Sequence, residues 1–344
     1  MGGGGSFYDR DVTSGGTKTR AGFSDFAAQV TGRDSLDRSV LPLNRRFTTD
    51  SESPLVCPLD GTGSMGTLPK ILCDKWPMIA GQIAMQKYLT DPEISLSIVG
   101  DVESDRAPIQ VCDFAKIRDL DPLLKKLWIE GLGGGQHFES YEFMAYFYAR
   151  LCDMPKAKTP IMIFTGDESF RENLTGRALT RHFGGQHSDV SASDIFKELR
   201  EKFNNNVFLI HRFYESYGLD AEIVTQWQRV LGEENVVQLK KDTAVGDIML
   251  GIIAIAGGSR TLDLYIEDIK KRPLKMGKTA YKPQSRERLN EVRESLEFLA
   301  SVRKPSKRTR KPLATRGPAD TAKKPVSPPV ETPKIGKPKP GRIF

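Results

Sequence analysis

Long apolar runs are missing from this 344-residue chain: none approaches the roughly 20 residues that a membrane-spanning helix needs. The opening Met1–Ser6 lacks the basic and apolar regions of a secretory signal, so an intracellular, cytoplasmic protein is expected, with a nuclear location left open if the source is eukaryotic. Cysteine is scarce. Cys57, Cys73, Cys112 and Cys152 are widely spaced, form no C-x-x-C pair and sit in apolar segments, which reads as buried reduced thiols rather than a zinc or disulfide framework. A G-x-S-x-G elbow and any recognisable Ser/His/Asp or Cys/His arrangement are also absent, so no nucleophile or catalytic base is identified and a non-enzymatic role is expected. No internal repeat occurs.

Positive charge is unevenly distributed. The net +7 conceals a tail, 303–344, that carries +11, which leaves −4 for the preceding residues. Beyond Lys304 the chain is Pro-rich with hardly any large apolar groups, so it cannot offset its ordering entropy and is expected to be disordered. Its cluster from Arg303 to Lys311 suits a weak, salt-sensitive polyanion contact, without the interleaved aromatics that base stacking requires. Residues 1–46, rich in Gly, Ser and Arg, read as a flexible extension that docks through Phe7, Tyr8, Phe23 and Phe26. Met1-Gly2 with Ser6 fits the bare myristoylation pattern, which has meaning only in a eukaryotic source.

Between these ends, short apolar runs alternate with amphipathic stretches. The runs Pro54–Leu59, Ile94–Val99, Pro108–Phe114, Pro160–Phe164, Asn206–Phe213 and Asn235–Leu239 predict strands. Helices are predicted over Leu68–Leu89, Leu120–Ile129, Glu139–Leu151, Glu172–His182, Ser193–Phe203, Ala221–Leu231, Thr243–Ala256, Arg260–Lys271 and Arg286–Val302. The second and third strands are too close in sequence for a crossover helix and must form an antiparallel hairpin at the sheet edge. The fold expected is α/β: a doubly wound, mostly parallel sheet with one antiparallel edge strand over 47–258, followed by C-terminal helices over 259–302 that pack on or near it.

The segment Cys57-Pro58-Leu59-Asp60-Gly61-Thr62-Gly63-Ser64-Met65-Gly66 leaves the first strand and opens a long helix. Asp60, Thr62 and Ser64 alternate with glycines, so one carboxylate and two hydroxyls can curl round a point without Cβ crowding. Such a hard, weakly charged oxygen set suits Mg²⁺ (or Mn²⁺). The carboxyl end of a strand is where ligands bind in such sheets.

This spacing resembles the D-x-S-x-S motif of von Willebrand factor type A domains, the metal-ion-dependent adhesion site, with Thr62 replacing the first Ser; in element order the likeness runs from about Pro54 to Ala256. The resemblance implies two further metal-contacting loops. The first falls at Gly133-Gly134-Gly135-Gln136-His137, with Gln136 where Thr is usual. The second falls at Phe164-Thr165-Gly166-Asp167, where Asp167 lies one residue later than the usual Thr-Asp-Gly order. The implied metal set is therefore Asp60, Thr62, Ser64, Gln136 and Asp167. Tyr8–Asp11, Gly133–Tyr141 and Gly166–Glu168 are similar to a poorly characterised intracellular branch of these domains, which supplies a fold and no reaction.

Other readings fit less well. Gly61, Gly63 and Gly66 spell G-x-G-x-x-G, but Asp60 would face a pyrophosphate and no ribose-binding acid follows about 20 positions on. A G-K-[ST] phosphate loop is ruled out by Thr67-Leu68, and a paired-aspartate phosphatase by Pro58. A plain turn needs one capping oxygen, not three. His182 and His187 lack further zinc ligands. Glu139 is expected to cap the helix that follows it, Asp101, Glu103 and Asp105 to form a solvated turn, and Trp76, Trp128 and Trp227 to pack in the core from helices. The function expected is a metal-ion-dependent binding module whose ion accepts a carboxylate from a partner protein. The alternatives are a metal-dependent hydrolase with His137 as base, a nucleotide-binding protein, or polyanion binding through the tail.

Overall fold

A computed structural model of the chain describes residues 36–130, 138–213, 217–272, 275–276, 279–280 and 284–303. The expectations for residues 1–35, for the Gly133–His137 loop and for the tail beyond Arg303 lie outside the described residues.

Six strands form the main sheet: β1 (Ser53–Asp60), β2 (Pro92–Val99), β3 (Ile109–Val111), β4 (Ile161–Gly166), β5 (Val207–Arg212) and β6 (Val236–Leu239). Their order is β6-β5-β4-β1-β2-β3. All neighbours are parallel except β2 and β3, the antiparallel edge pair. The sheet is thus doubly wound and mostly parallel, as the alternation of apolar runs and helices predicts. Every residue of β1 is buried, as a central strand covered on both faces requires. Its alternate residues split between two cores: Leu55, Cys57 and Leu59 face one, Val56 the other.

The first core is built from α1 (Leu68–Gln86), α6 (Val245–Ala256), α7 (Leu262–Lys270) and α8 (Arg286–Val302). The second is built from α2 (Tyr141–Arg150), α3 (Gly176–Phe183), α4 (Ala192–Lys202) and α5 (Tyr217–Leu231). Local chemistry sets the helix starts: the side chains of Thr175, Ser191, Thr261 and Ser285 each accept from a backbone N–H in the first turn of α3, α4, α7 and α8. Helix α6, apolar on most faces in sequence, is buried along nearly its whole length between the sheet and α7–α8. Residues 36–46, ahead of the domain boundary drawn from sequence, put Val40 into the first core and bind Asp113 through Arg45 at 2.7 Å.

Two expectations need correction. The helix predicted over Leu120–Ile129 is a single turn, Asp121–Leu124. Beyond it, the buried Gln110 side chain accepts from Trp128 N at 2.8 Å and donates to Trp128 O at 2.7 Å, so Trp128 packs from non-helical backbone. The third strand is also shorter than the apolar run Pro108–Phe114 suggests, because only Ile109–Val111 pair with β2. The four cysteines are free and buried, and burial pushes the Cys112 and Cys152 thiols up to about 12.

Candidate metal centre

The site begins where β1 ends between β2 and β4. Gly61 passes so close to Ile98 that a Cβ there would overlap that side chain. Gly63–Met65 form a short 3₁₀ turn anchored by buried Met65, and Gly66 takes a left-handed φ of 55° before α1 starts. This path folds the loop back on Asp60. Asp60 Oδ1 accepts from Thr62 N at 2.9 Å and from Thr62 Oγ1 at 2.5 Å, while Oδ2 accepts from the Tyr141 hydroxyl on α2. Thr62 Oγ1 lies 3.1 Å from Ser64 Oγ, which donates to Asp167 Oδ1 at 3.0 Å.

Of the residues expected at a metal, the structure therefore joins Asp60, Thr62, Ser64 and Asp167 in one chain of oxygens; Gln136 lies outside the described residues. With Asp60 and Asp167 both ionised, that chain is one proton short. It has three oxygen–oxygen contacts, and only the Thr62 and Ser64 hydroxyls carry protons for them. In addition, Asp167 Oδ2 is buried with no hydrogen-bond partner. Burial, and next the charge of Asp60, pushes Asp167 up to about 8; burial pushes Asp60 up to about 6 against the hydrogen bonds from Thr62 and Tyr141. Either a shared proton or a cation completes such a set. An all-oxygen donor set with an orphaned, buried carboxylate oxygen fits a hard divalent ion.

Three residues at the site escape sequence reasoning. Tyr141 is fully buried, its ring packed edge-on against Trp227 and Phe164. Arg212, at the end of β5, donates to Ser64 O at 3.1 Å and to Asp242 at 3.2 Å, and lies 3.6 Å from Asp167 Oδ2. Glu168 is buried beside Asp167. Only the adjacency of Glu168 to Asp167 is visible in the chain, whereas the other two depend on which elements become neighbours.

The remaining candidates resolve differently. Glu139 does not cap α2: Ser140 precedes the helix, and Glu139 Oε2 is buried without a partner. Asp101 is not in a solvated turn, being buried and paired with Arg171 at 2.7 Å. His187 is satisfied by Tyr146 and the Gly184 carbonyl, and His182 packs edge-on against Phe143. Trp76 and Trp227 are core residues in helices. Among the described residues, no three His, Cys, Asp or Glu side chains stand together as a metal-holding group, and no helix is long and apolar enough to cross a membrane.

The fold is von Willebrand factor type A-like: an α/β sheet of order β6-β5-β4-β1-β2-β3, with an antiparallel edge strand and the D-x-T-x-S loop at the carboxyl end of its central strand. No family model matches the sequence. No curated protein is significantly similar to it. Similar solved structures include the pilus adhesin SpaC from Lactobacillus rhamnosus GG, with 10% identity, a TM-score of 0.41 and coverage of 62% of this chain and 31% of that one. A von Willebrand factor type A protein from Catenulispora acidiphila is 14% identical with a TM-score of 0.35, covering 61% and 44%. The proximal thread matrix protein 1 of the mussel byssus, with a zinc-occupied MIDAS motif, is 14% identical with a TM-score of 0.36, covering 60% and 46%. The chain thus spans less than half the length of each of these structures.

Proposed function

We propose that this chain is a metal-ion-dependent binding module. Asp60, Thr62, Ser64 and Asp167 hold one hard divalent cation, for which the loop's own three oxygens suit Mg²⁺ or Mn²⁺. The observation that supports this most is the run of oxygen contacts that joins two buried carboxylates, Asp60 and Asp167, through Thr62 and Ser64, with Asp167 Oδ2 left without a hydrogen-bond donor at its end. Bound there, the ion would supply an electrophilic point that accepts an oxygen ligand.

The residues around it orient and charge the site. Tyr141 holds Asp60 from below, and Arg212 joins the loop backbone to Asp167 and Asp242. The partner, on this reading, is a protein that presents an Asp or Glu side chain, and the chain works by capture rather than turnover. Peptides with exposed Asp or Glu, and their Asn or Gln counterparts, test it on the immobilised full chain. Retention of the acidic peptides alone, lost in EDTA and with Asp60→Ala, supports the reading. Equal retention of the amide peptides, or retention that survives EDTA, counts against it.

A further inference from the structure

Arg212 ends β5 beside the metal loop, and its guanidinium serves three groups at once. Nη1 donates to Ser64 O at 3.1 Å, and Nε donates to Asp242 Oδ1 at 3.2 Å. Nη1 also lies 3.6 Å from Asp167 Oδ2, an ion pair too long for a hydrogen bond. Nη2 runs beside the loop, 3.9 Å from where a Cβ at Gly66 would stand. Among the described residues, no other Lys, Arg or His pairs with Asp60 or Asp167.

The Asp167 side chain is fully buried, whereas that of Arg212 is 24% exposed, so the carboxylate draws its counter-charge from the rim of the site. The hydrogen bonds from Nη1 and Nε go to other groups, so Arg212 gives Asp167 Oδ2 charge and no donor. Losing this contact therefore leaves neither of those hydrogen bonds broken. Arginine also keeps its charge at any working pH. A divalent ion at Asp60, Thr62, Ser64 and Asp167 needs the same carboxylate, and it meets a like charge held 3.6 Å from one of that carboxylate's oxygens.

We propose that Arg212 is the site's built-in counter-cation: it offsets Asp167 in the metal-free chain, competes with the divalent ion for that carboxylate, and so sets how tightly the ion is held. Asp242 and Ser64 O keep the guanidinium in place for this role. The inference rests on the metal-site reading above, not on the identity of the partner.

Two measurements on the full chain test it. The first is melting in EDTA at pH 9, so that the carboxylates are ionised, of wild type, Arg212→Gln, Asp167→Asn and the double variant. Arg212→Gln should lower the Tm, and should lower it less when Asp167 is already Asn. The second is calorimetric titration of the metal-stripped wild type, Arg212→Gln and Arg212→Lys with Mg²⁺. Arg212→Gln should bind Mg²⁺ about threefold or more tightly than the wild type, because a repelling charge is gone. Arg212→Lys keeps the charge and should stay within about twofold of the wild type. A residue that only braces the loop through Ser64 O would behave otherwise. Arg212→Gln would then bind Mg²⁺ more weakly, and its Tm would fall equally in both Asp167 backgrounds. Either of those results, or unchanged Mg²⁺ affinity in Arg212→Gln, overturns the role of Arg212 and leaves the metal site standing. Binding of no Mg²⁺ by the wild type overturns the metal site and this inference together.

Discussion

The Tyr141 hydroxyl, carried on the first turn of α2, donates to Asp60 Oδ2 at the end of β1, and Gly166 on the adjacent β4 is what makes room for it. A Cβ at Gly166 would overlap the Tyr141 oxygen. The carboxylate is therefore held from two sides, by its own loop through Thr62 and by the second core through Tyr141. That leaves Ser64 to face Asp167.

This contact makes Gly166 and Tyr141 an energetic pair. Gly166→Ala is expected to destabilise by about 1–3 kcal/mol through overpacking. Tyr141→Phe is expected to cost a similar amount, about 1–3 kcal/mol, by leaving Asp60 Oδ2 unsatisfied. The double variant should lose less than the sum, because removing the hydroxyl relieves the closest of the new methyl's overlaps, while those with the ring carbons remain. Urea denaturation of the four proteins measures the coupling, and strict additivity would contradict the packing described.

Glu142 sets a pH dependence apart from the metal loop. Its carboxyl is fully buried, neither oxygen has a partner, and burial pushes it up to about 8. The folded form thus binds the proton more tightly than the unfolded chain. The stability this supplies is complete below about pH 4.5 and is lost as pH rises through about 8, with a slope of up to about 1.4 kcal/mol per pH unit. Glu142→Gln should flatten this fall and be the more stable protein at pH 9. Denaturant midpoints of wild type and variant between pH 5 and 9 check it, and their difference cancels the other titrating groups. A gap that shrinks as pH rises would reverse the assigned sign.

Asp247 ties the C-terminal helices to α6. It is buried on α6 and pairs with Arg272, while Arg288 on α8 lies 3.7 Å away. Burial acts to raise its pKa, but Arg272, Lys75 and Arg288 outweigh that and hold the carboxylate below its ordinary range. Asp247→Ala leaves these cations facing one another in the interior and should destabilise by about 3–5 kcal/mol. Hydrogen exchange should then rise first in α7 and α8. Loss confined to α2–α5 would show that Asp247 does not fasten this layer.

Much of the fold was legible because its signals are local. Six apolar runs and the helical periods between them mark the strands and most helices, and the short gap before Ile109 marks the antiparallel edge. Tertiary contacts hid the rest: Gln110 holds Trp128 in non-helical backbone where the pattern reads as helix. The site divides in the same way. Asp60, Thr62 and Ser64 share one loop, so their spacing reveals them, and Asp167 is found through a family resemblance. Tyr141 and Arg212 reach the loop from α2 and β5, so only strand order and helix placement bring them there.

Binding of Mn²⁺ to the metal-stripped full chain tests the central claim most directly, with free ion followed by electron paramagnetic resonance. One ion should bind per wild-type chain, and Asp60→Ala should bind none at the same concentrations while keeping its circular dichroism spectrum. Equal Mn²⁺ uptake by the two proteins would contradict a cation held by Asp60, Thr62, Ser64 and Asp167.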